Sequence, residues 1–215
     1  MTAAATIAGR LAGLRAGIPE GVTLVAVSKT QPAEAVREAY AAGQRDFGEN
    51  YAQEWREKAD ALADLPDLRW HFIGGLQTNK VKYLAGRVAA IHTLDRIELA
   101  REISKRFAAK GAVARVFLEV NAGGEATKSG CAPSDAPALA QAVRSLPAVT
   151  LAGLMCIPPP QDDPRPHFRA LRALRERLGL AELSMGMSAD WRVAIEGGST
   201  CVRIGAAIFG ERGRG

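Results

Sequence analysis

Short, continuously apolar runs alternate along this chain with longer segments in which apolar residues recur every three or four positions. The first run, residues 22–28, reads as a strand buried on both faces. The spacing then predicts a helix over 32–42, with Thr30 as a candidate cap and Gly43 just past its end. A short strand over 45–47 is followed by a helix over 51–63 that Asn50 is placed to cap. Next come a strand over 69–73, a short helix over 79–85 and a strand over 88–92. Asp95 and Glu98 have the spacing of a capping box, ahead of a helix whose apolar face is Leu99, Ile103 and Phe107. A strand over 115–120 precedes a helix over 134–145, and a strand over 150–155 leads into the prolines at 158–160. A helix over 166–178 places Phe168, Leu171, Leu174 and Leu178 on one face. The pattern ends with a strand over 183–187, a helix over 189–196, a strand over 201–204 and a helical turn over 206–209. A further helix, over 6–16, precedes the first strand.

Strands that each lead into a helix predict a parallel sheet with helices outside it. Eight such units favour a closed (β/α)8 TIM barrel over an open doubly wound sheet. The first helix would cover the barrel's lower end or its flank. No linker, low-complexity tract or repeat beyond the β–α period interrupts the pattern, so residues 1–215 are expected to form a single α/β barrel domain with an extra N-terminal helix. Composition narrows the class further. With 47% hydrophobic and 24% charged residues the chain is not of the disordered kind. No stretch approaches the roughly 20 uncharged apolar residues of a membrane-spanning helix, and residues 1–10 lack the basic-then-apolar pattern of a secretory signal. Three cysteines, an odd number with no CxxC pair, argue against a disulfide framework or a structural zinc and point to the cytoplasm. The formal charge of +5 is spread along the chain. Its densest basic stretch, with Arg169, Arg172 and Arg175 at helical spacing, reads as a solvated helix face; without a recognition motif it is no nucleic-acid patch.

In such a barrel the chemistry sits at the C-terminal ends of the strands. Lys29 stands there, directly after an uninterrupted apolar strand. It is either a lysine that reaches past the strand end to solvent or a partly desolvated amine of lowered pKa, suited to a Schiff base. Ser188 precedes a short helix, and Gly205 and Ala206 open another, so both places offer backbone N–H groups to an anion. Arg203 lies within an apolar strand, where an arginine needs a partner. It can pair with Glu196 or Glu119, or face a ligand ring. A lysine for an aldehyde, a phosphate cradle and a polar ring partner together describe pyridoxal 5'-phosphate (PLP). His71, His92 and His167 form no metal-ligand spacing, and no HExxH, GxSxG, Walker or GxGxxG motif is present, so neither a metal nor one of those catalytic classes is expected.

At these residues the chain resembles the PLP homeostasis proteins, which share the alanine-racemase-like barrel of the fold-type III PLP proteins. The resemblance rests on VAVSKTQP, FGENYAQE, WHFIGGLQTNK, LEVNAGGEATKSG, GLMCIPPP, LSMGMSADWRVAIEGGST and VRIGAAIFGER, in order from Val25 to Arg212. It implies that Lys29 holds PLP covalently as an internal aldimine. Ser188 and the backbone of Gly205 and Ala206 would bind its phosphate, Arg203 would face the pyridine nitrogen, and Asn50 would line the pocket. His71, Asn121 and Met155 are looser candidates for its walls. The resemblance also implies a role in intracellular vitamin B6 homeostasis, exchange of the cofactor with PLP-dependent apoenzymes, and binding in preference to a catalytic activity of its own. The other reading is a fold-type III racemase or related enzyme. Such racemases add a C-terminal β-domain and a partner subunit's tyrosine. Here the sequence stops after the eighth unit, with tyrosines only at Tyr40, Tyr51 and Tyr83, which favours the binding role and a monomer without that domain. Three places depart from the family pattern: Gly75 stands where proline is frequent, Ala206 where serine or threonine is usual, and residues 213–215 replace an aromatic ending.

Overall fold

The computed structural model describes residues 6–125 and 128–210. Its strands close into one barrel in sequence order. They are β1 (Thr23–Val27), β2 (Asp46–Glu49), β3 (Arg69–Phe72), β4 (Ala90–Leu94), β5 (Ala114–Glu119), β6 (Val149–Met155), β7 (Glu182–Ser184) and β8 (Cys201–Ile204). Every pairing is parallel, and β1 closes the ring on β8 through Thr23 opposite Cys201 up to Ala26 opposite Ile204. Around the barrel run α1 (Ile7–Arg15), α2 (Ala33–Ala41), α3 (Ala52–Ala61), α4 (Val81–Leu84, after a 3-10 turn at Thr78–Lys80), α5 (Ile97–Ala108), α6 (Ala136–Arg144), α7 (Pro164–Arg177), α8 (Trp191–Glu196) and α9 (Ala206–Phe209).

Alternation along each strand sorts side chains between two cores. Leu24 and Ala26 of β1, Phe47 of β2, Phe72 of β3 and Val202 and Ile204 of β8 face outward and join the helices in the main apolar layer. The inside of the barrel holds a small apolar cluster, Ala90, Phe117 and Met155. The helices present their expected faces. α5 buries Leu99, Ala100, Ile103, Ser104 and Phe107, and α7 buries Phe168, Leu171 and Leu174 while Arg169 and Arg172 face solvent. Thr6 caps α1, which flanks the barrel against α2 and α9 instead of plugging its lower end.

Several boundaries differ from the pattern-based expectation. Thr30 is no cap: it adopts φ +64°, and α2 starts after Pro32. Asn50 makes no capping hydrogen bond, because α3 starts only after Tyr51. The box expected at Asp95 does not form, since Arg96 occupies the cap position and Asp95 accepts from its guanidinium. β4 runs two residues later than expected, which moves His92 from a strand end to mid-strand. β7 stops at Ser184, three residues early. Ala126 and Thr127 of the LEVNAGGEATKSG stretch, Glu211 and Arg212, and the unusual ending at 213–215 lie outside the described residues.

Candidate functional site

A cavity of about 340 Å³ opens at the C-terminal mouth of the barrel. Val27 and Lys29 enter it from β1 and the turn beyond, Asn50 from the end of β2, and Ile73 from the end of β3. Ile157 follows β6, and Met187, Ser188 and Ala189 come from the turn between β7 and α8. Arg203 rises from β8, and Gly205, Ala206, Phe209 and Gly210 belong to α9 and its ends. All six residues singled out in the sequence, Lys29, Asn50, Ser188, Arg203, Gly205 and Ala206, therefore line one cavity. Of the looser candidates, Asn121 bonds to the Glu125 carbonyl, Met155 belongs to the apolar cluster inside the barrel, and His71 sits deeper in the barrel. None of the three lines the cavity.

The backbone on either side of Lys29 is clamped from outside the barrel. Ser28 Oγ donates to Glu49 Oε1 at 2.6 Å. The Lys58 ammonium, on α3, donates to the Ser28 carbonyl (2.6 Å), Glu49 Oε1 (2.7 Å) and Glu54 Oε1 (2.8 Å). The Thr30 amide donates to the same Glu54 oxygen at 2.5 Å. A β-branched residue at positive φ costs of order 1–3 kcal/mol and persists only where its surroundings fix it. Here the Glu54 contact does so. Burial pushes the Glu49 carboxyl above its usual range, against the pull of Lys58 and Ser28. The sequence hinted at this cluster only through Glu54 and Lys58, four residues apart on one helix.

Arg203 is buried and held flat. Its Nη1 donates to Ser184 Oγ at 2.6 Å and its Nη2 to the Cys156 carbonyl at 3.1 Å. Neither Glu196 nor Glu119, the two structural partners considered from sequence, bonds to it among the described residues; Glu119 acts on it only through space. Burial lowers the guanidinium pKa from its ordinary value, with nearby acidic groups opposing. Burial also pushes the Cys156 thiol up to about 12, so the sulfur beside Arg203 is neutral.

Two further features bear on a ligand. The Asn50 side-chain oxygen is buried without a hydrogen-bond partner, an expensive state unless a ligand supplies the donor. At Gly205 a Cβ would stand 3.1 Å from the Val27 carbonyl oxygen, so a bare backbone suits the floor where α9 begins. No group of three His, Cys, Asp or Glu side chains among the described residues is placed to hold a metal.

Residues 4–213 match the model of the alanine racemase N-terminal domain. The pyridoxal phosphate homeostasis protein of Pseudomonas aeruginosa is 52% identical over 202 residues, covering 92% of this chain and 87% of its own length. The chain belongs to the pyridoxal phosphate homeostasis family. Among solved structures, PipY of Synechococcus elongatus PCC7942 with PLP bound superposes with a TM-score of 0.90 at 39% identity, covering 95% of this chain and all of that one. Alanine racemase from Clostridium difficile 630 has a TM-score of 0.77 at 14% identity and shares the fold; this chain covers 57% of its length.

Proposed function

We propose that the chain binds PLP in this cavity and serves intracellular vitamin B6 homeostasis. The observation that carries the reading is the convergence of Lys29, Asn50, Ser188, Arg203, Gly205 and Ala206 on one cavity, from four separate parts of the sequence. The residues suit the group. The Lys29 amine would hold the cofactor through its aldehyde, and the clamp at Ser28 and Thr30 fixes the backbone from which that amine reaches. Ser188 and the opening amides of α9 take the phosphate, with no hydroxyl from Ala206 to assist. Arg203, a fixed cation, would meet the pyridine nitrogen and disfavour a proton there. When bound, PLP supplies a reactive aldehyde and an electron-withdrawing ring; an unprotonated ring withdraws electrons less, which suits storage over turnover. Lys29 and Arg203 are the only ionisable side chains in the described lining, so no second acid–base group stands ready to shuttle a proton.

Cys131, Cys156 and Cys201 are free thiols, in keeping with the cytoplasm, and no described helix is long and apolar enough to cross a membrane. A monomer that exchanges PLP with apoenzymes completes the reading.

The deciding experiment adds PLP to the purified protein, records its absorbance, reduces with borohydride and maps the labelled peptide. Label on Lys29, lost in Lys29→Ala with the fold intact, is expected. Label retained in Lys29→Ala would sink the assignment.

A further inference from the structure

A continuous hydrogen-bonded path crosses the inside of the barrel, from its lower end to Arg203. At the bottom, Asp46 receives two bonds from Arg69, at 2.8 and 2.6 Å. His71 Nε2 meets Asp46 Oδ1 at 2.9 Å, and His71 Nδ1 meets His92 Nε2 at 2.9 Å. His92 Nδ1 meets Ser184 Oγ at 2.7 Å, and Arg203 Nη1 donates to that same oxygen at 2.6 Å. Both imidazoles and Ser184 are buried, and His92 is also stacked on Phe117 with ring centroids 4.4 Å apart. The charged groups beside the path are Arg115, paired with Glu182 and lying over Phe117, and Glu119, Asp190, Cys156 and Cys201 around Arg203.

The donors along this path are constrained. Hydrogen bonds from Arg69 and His71 hold the Asp46 carboxyl at about 2 although burial opposes them, so Asp46 only accepts and His71 Nε2 carries a hydrogen. Burial, followed by the charges of His71, Arg203 and Arg115, keeps His92 neutral, so one of its nitrogens carries a hydrogen and the other does not. Two complete patterns remain, and they differ by one proton. With His71 neutral, every donor points downward: Arg203 to Ser184, Ser184 to His92 Nδ1, His92 Nε2 to His71 Nδ1, and His71 Nε2 to Asp46. With His71 charged, its Nδ1 donates to His92 Nε2 and the hydrogen of His92 sits on Nδ1. Ser184 Oγ then accepts from both His92 and Arg203, and its own hydrogen turns to Cys201.

A buried guanidinium is costly without a compensating charge, and the contacts of Arg203 are with neutral oxygens. The path links it to the Asp46 carboxylate through three intervening side chains, and hydrogen bonds in series polarise one another. We propose that His71, His92 and Ser184 form a positioning relay for Arg203, through which a proton gained or lost at the lower end of the barrel reverses the Ser184 hydroxyl beneath the arginine. Its effect on the cofactor rests on the reading of Arg203 as the ring partner; the relay itself does not.

The test therefore has two arms. In the first, the full chain without cofactor is labelled with 15N at histidine and titrated by NMR. His92 is expected to stay neutral while its hydrogen moves from Nε2 to Nδ1 as the pH falls. A His92 that keeps one tautomer across the pH range in which the fold is stable overturns the relay. In the second arm, PLP is titrated into Ser184→Ala, Ser184→Thr and Arg203→Gln. Ser184→Ala is expected to weaken PLP binding about tenfold and to move the bound absorbance in the same direction as Arg203→Gln, while Ser184→Thr restores both. Ser184→Ala behaving as wild type while Arg203→Gln moves both readouts also overturns the proposal. A silent Arg203→Gln instead removes the ring-partner reading, and the histidine titration alone then judges the relay.

Discussion

Replacing Lys58 with methionine isolates the clamp that brackets Lys29. Methionine keeps most of the hydrocarbon stem, so the packing of α3 changes little, and the three bonds of the ammonium to Ser28, Glu49 and Glu54 disappear together. Removing one partner of a buried ion pair typically costs about 3–5 kcal/mol, because the other charge is stranded. Two features lower that figure here. The Glu54 side chain is 25% exposed and can turn to water. Glu49 is fully buried, and burial has already raised its pKa, so it escapes part of the penalty by taking a proton. The expected loss is about 2–4 kcal/mol at pH 8.

The sign of the pH dependence follows from Glu49. In acid Glu49 is protonated, and methionine strands no charge. As pH rises the wild type gains a complete ion pair, whereas the variant must hold a bare carboxylate or an extra proton. The difference between wild type and Lys58→Met should therefore grow from pH 5 to pH 8. Urea unfolding followed by the fluorescence of Trp55, buried on the same helix, measures it. The freed turn should also relax Thr30 from its positive φ and slow PLP capture at Lys29. A pH-independent loss below about 1 kcal/mol, with capture unchanged, would refute the argument that this cluster holds the turn.

Glu119 carries a second pH signature. Burial, then the charge of Asp95, raises its carboxyl from 4.5 to about 7, with Arg203 opposing. A raised carboxyl stabilises the fold below pH 4.5 and loses that contribution as pH climbs to 7, by about 3 kcal/mol at most at 1.36 kcal/mol per pH unit. Glu119→Gln should flatten this slope in urea midpoints; equal slopes in both proteins count against it. At Gly74 a Cβ would lie 2.1 Å from the Asn50 carbonyl oxygen, whereas nothing lies within 4 Å of one at Gly75. Gly74→Ala should destabilise by about 1–3 kcal/mol and weaken PLP binding, with Gly75→Ala close to neutral; similar thermal midpoints for the two would contradict the tight contact. Ala206→Ser restores a hydroxyl at the start of α9 and should tighten PLP binding by about threefold to tenfold, read by fluorescence titration; unchanged affinity would place the phosphate elsewhere.

The order of the barrel was legible because its outward faces are apolar. Runs such as Thr23–Val27 and Cys201–Ile204 must pack under helices, and their hydrophobicity marks them. The site residues were legible for a related reason: Lys29, Asn50, Ser188 and Gly205 stand where an apolar run stops, and the barrel mouth is where such stops meet. What the pattern hid was polar burial. Glu49 reads as a loop residue, yet it is enclosed because Lys58 reaches it from α3. Gly48 falls just past the strand expected over 45–47, yet it lies in β2 where Val25 and Ile73 fill the space a side chain would take, at 2.9 and 3.0 Å from its missing Cβ. His92 reads as a strand end, yet it is enclosed by His71, Ser184 and Phe117. Caps misled in a different way. Thr30, Asn50 and Asp95 have the right chemistry for a helix start, but strand length decides where the helix begins; Asn50 is drawn into the mouth of the barrel, and the Thr30 amide turns to the Glu54 carboxylate instead.

A strand with a single large apolar residue ties these observations together. β2 is Asp46-Phe47-Gly48-Glu49, and alternation sends Asp46 and Gly48 inward and Phe47 and Glu49 outward. Asp46 anchors the interior path that ends at Arg203, and Glu49 anchors the exterior cluster that brackets Lys29. Four residues thus support both ionisable groups of the cavity from opposite faces of one strand. A one-residue slip in its pairing would exchange those faces, leaving a carboxylate against the helix layer and another without its histidine. The register is held against this by Phe47, fully buried in the outer layer, and by Gly48, the inward position with no room for a side chain. Polarity in β2 is therefore a requirement of the site, met by packing one aromatic ring and omitting one Cβ.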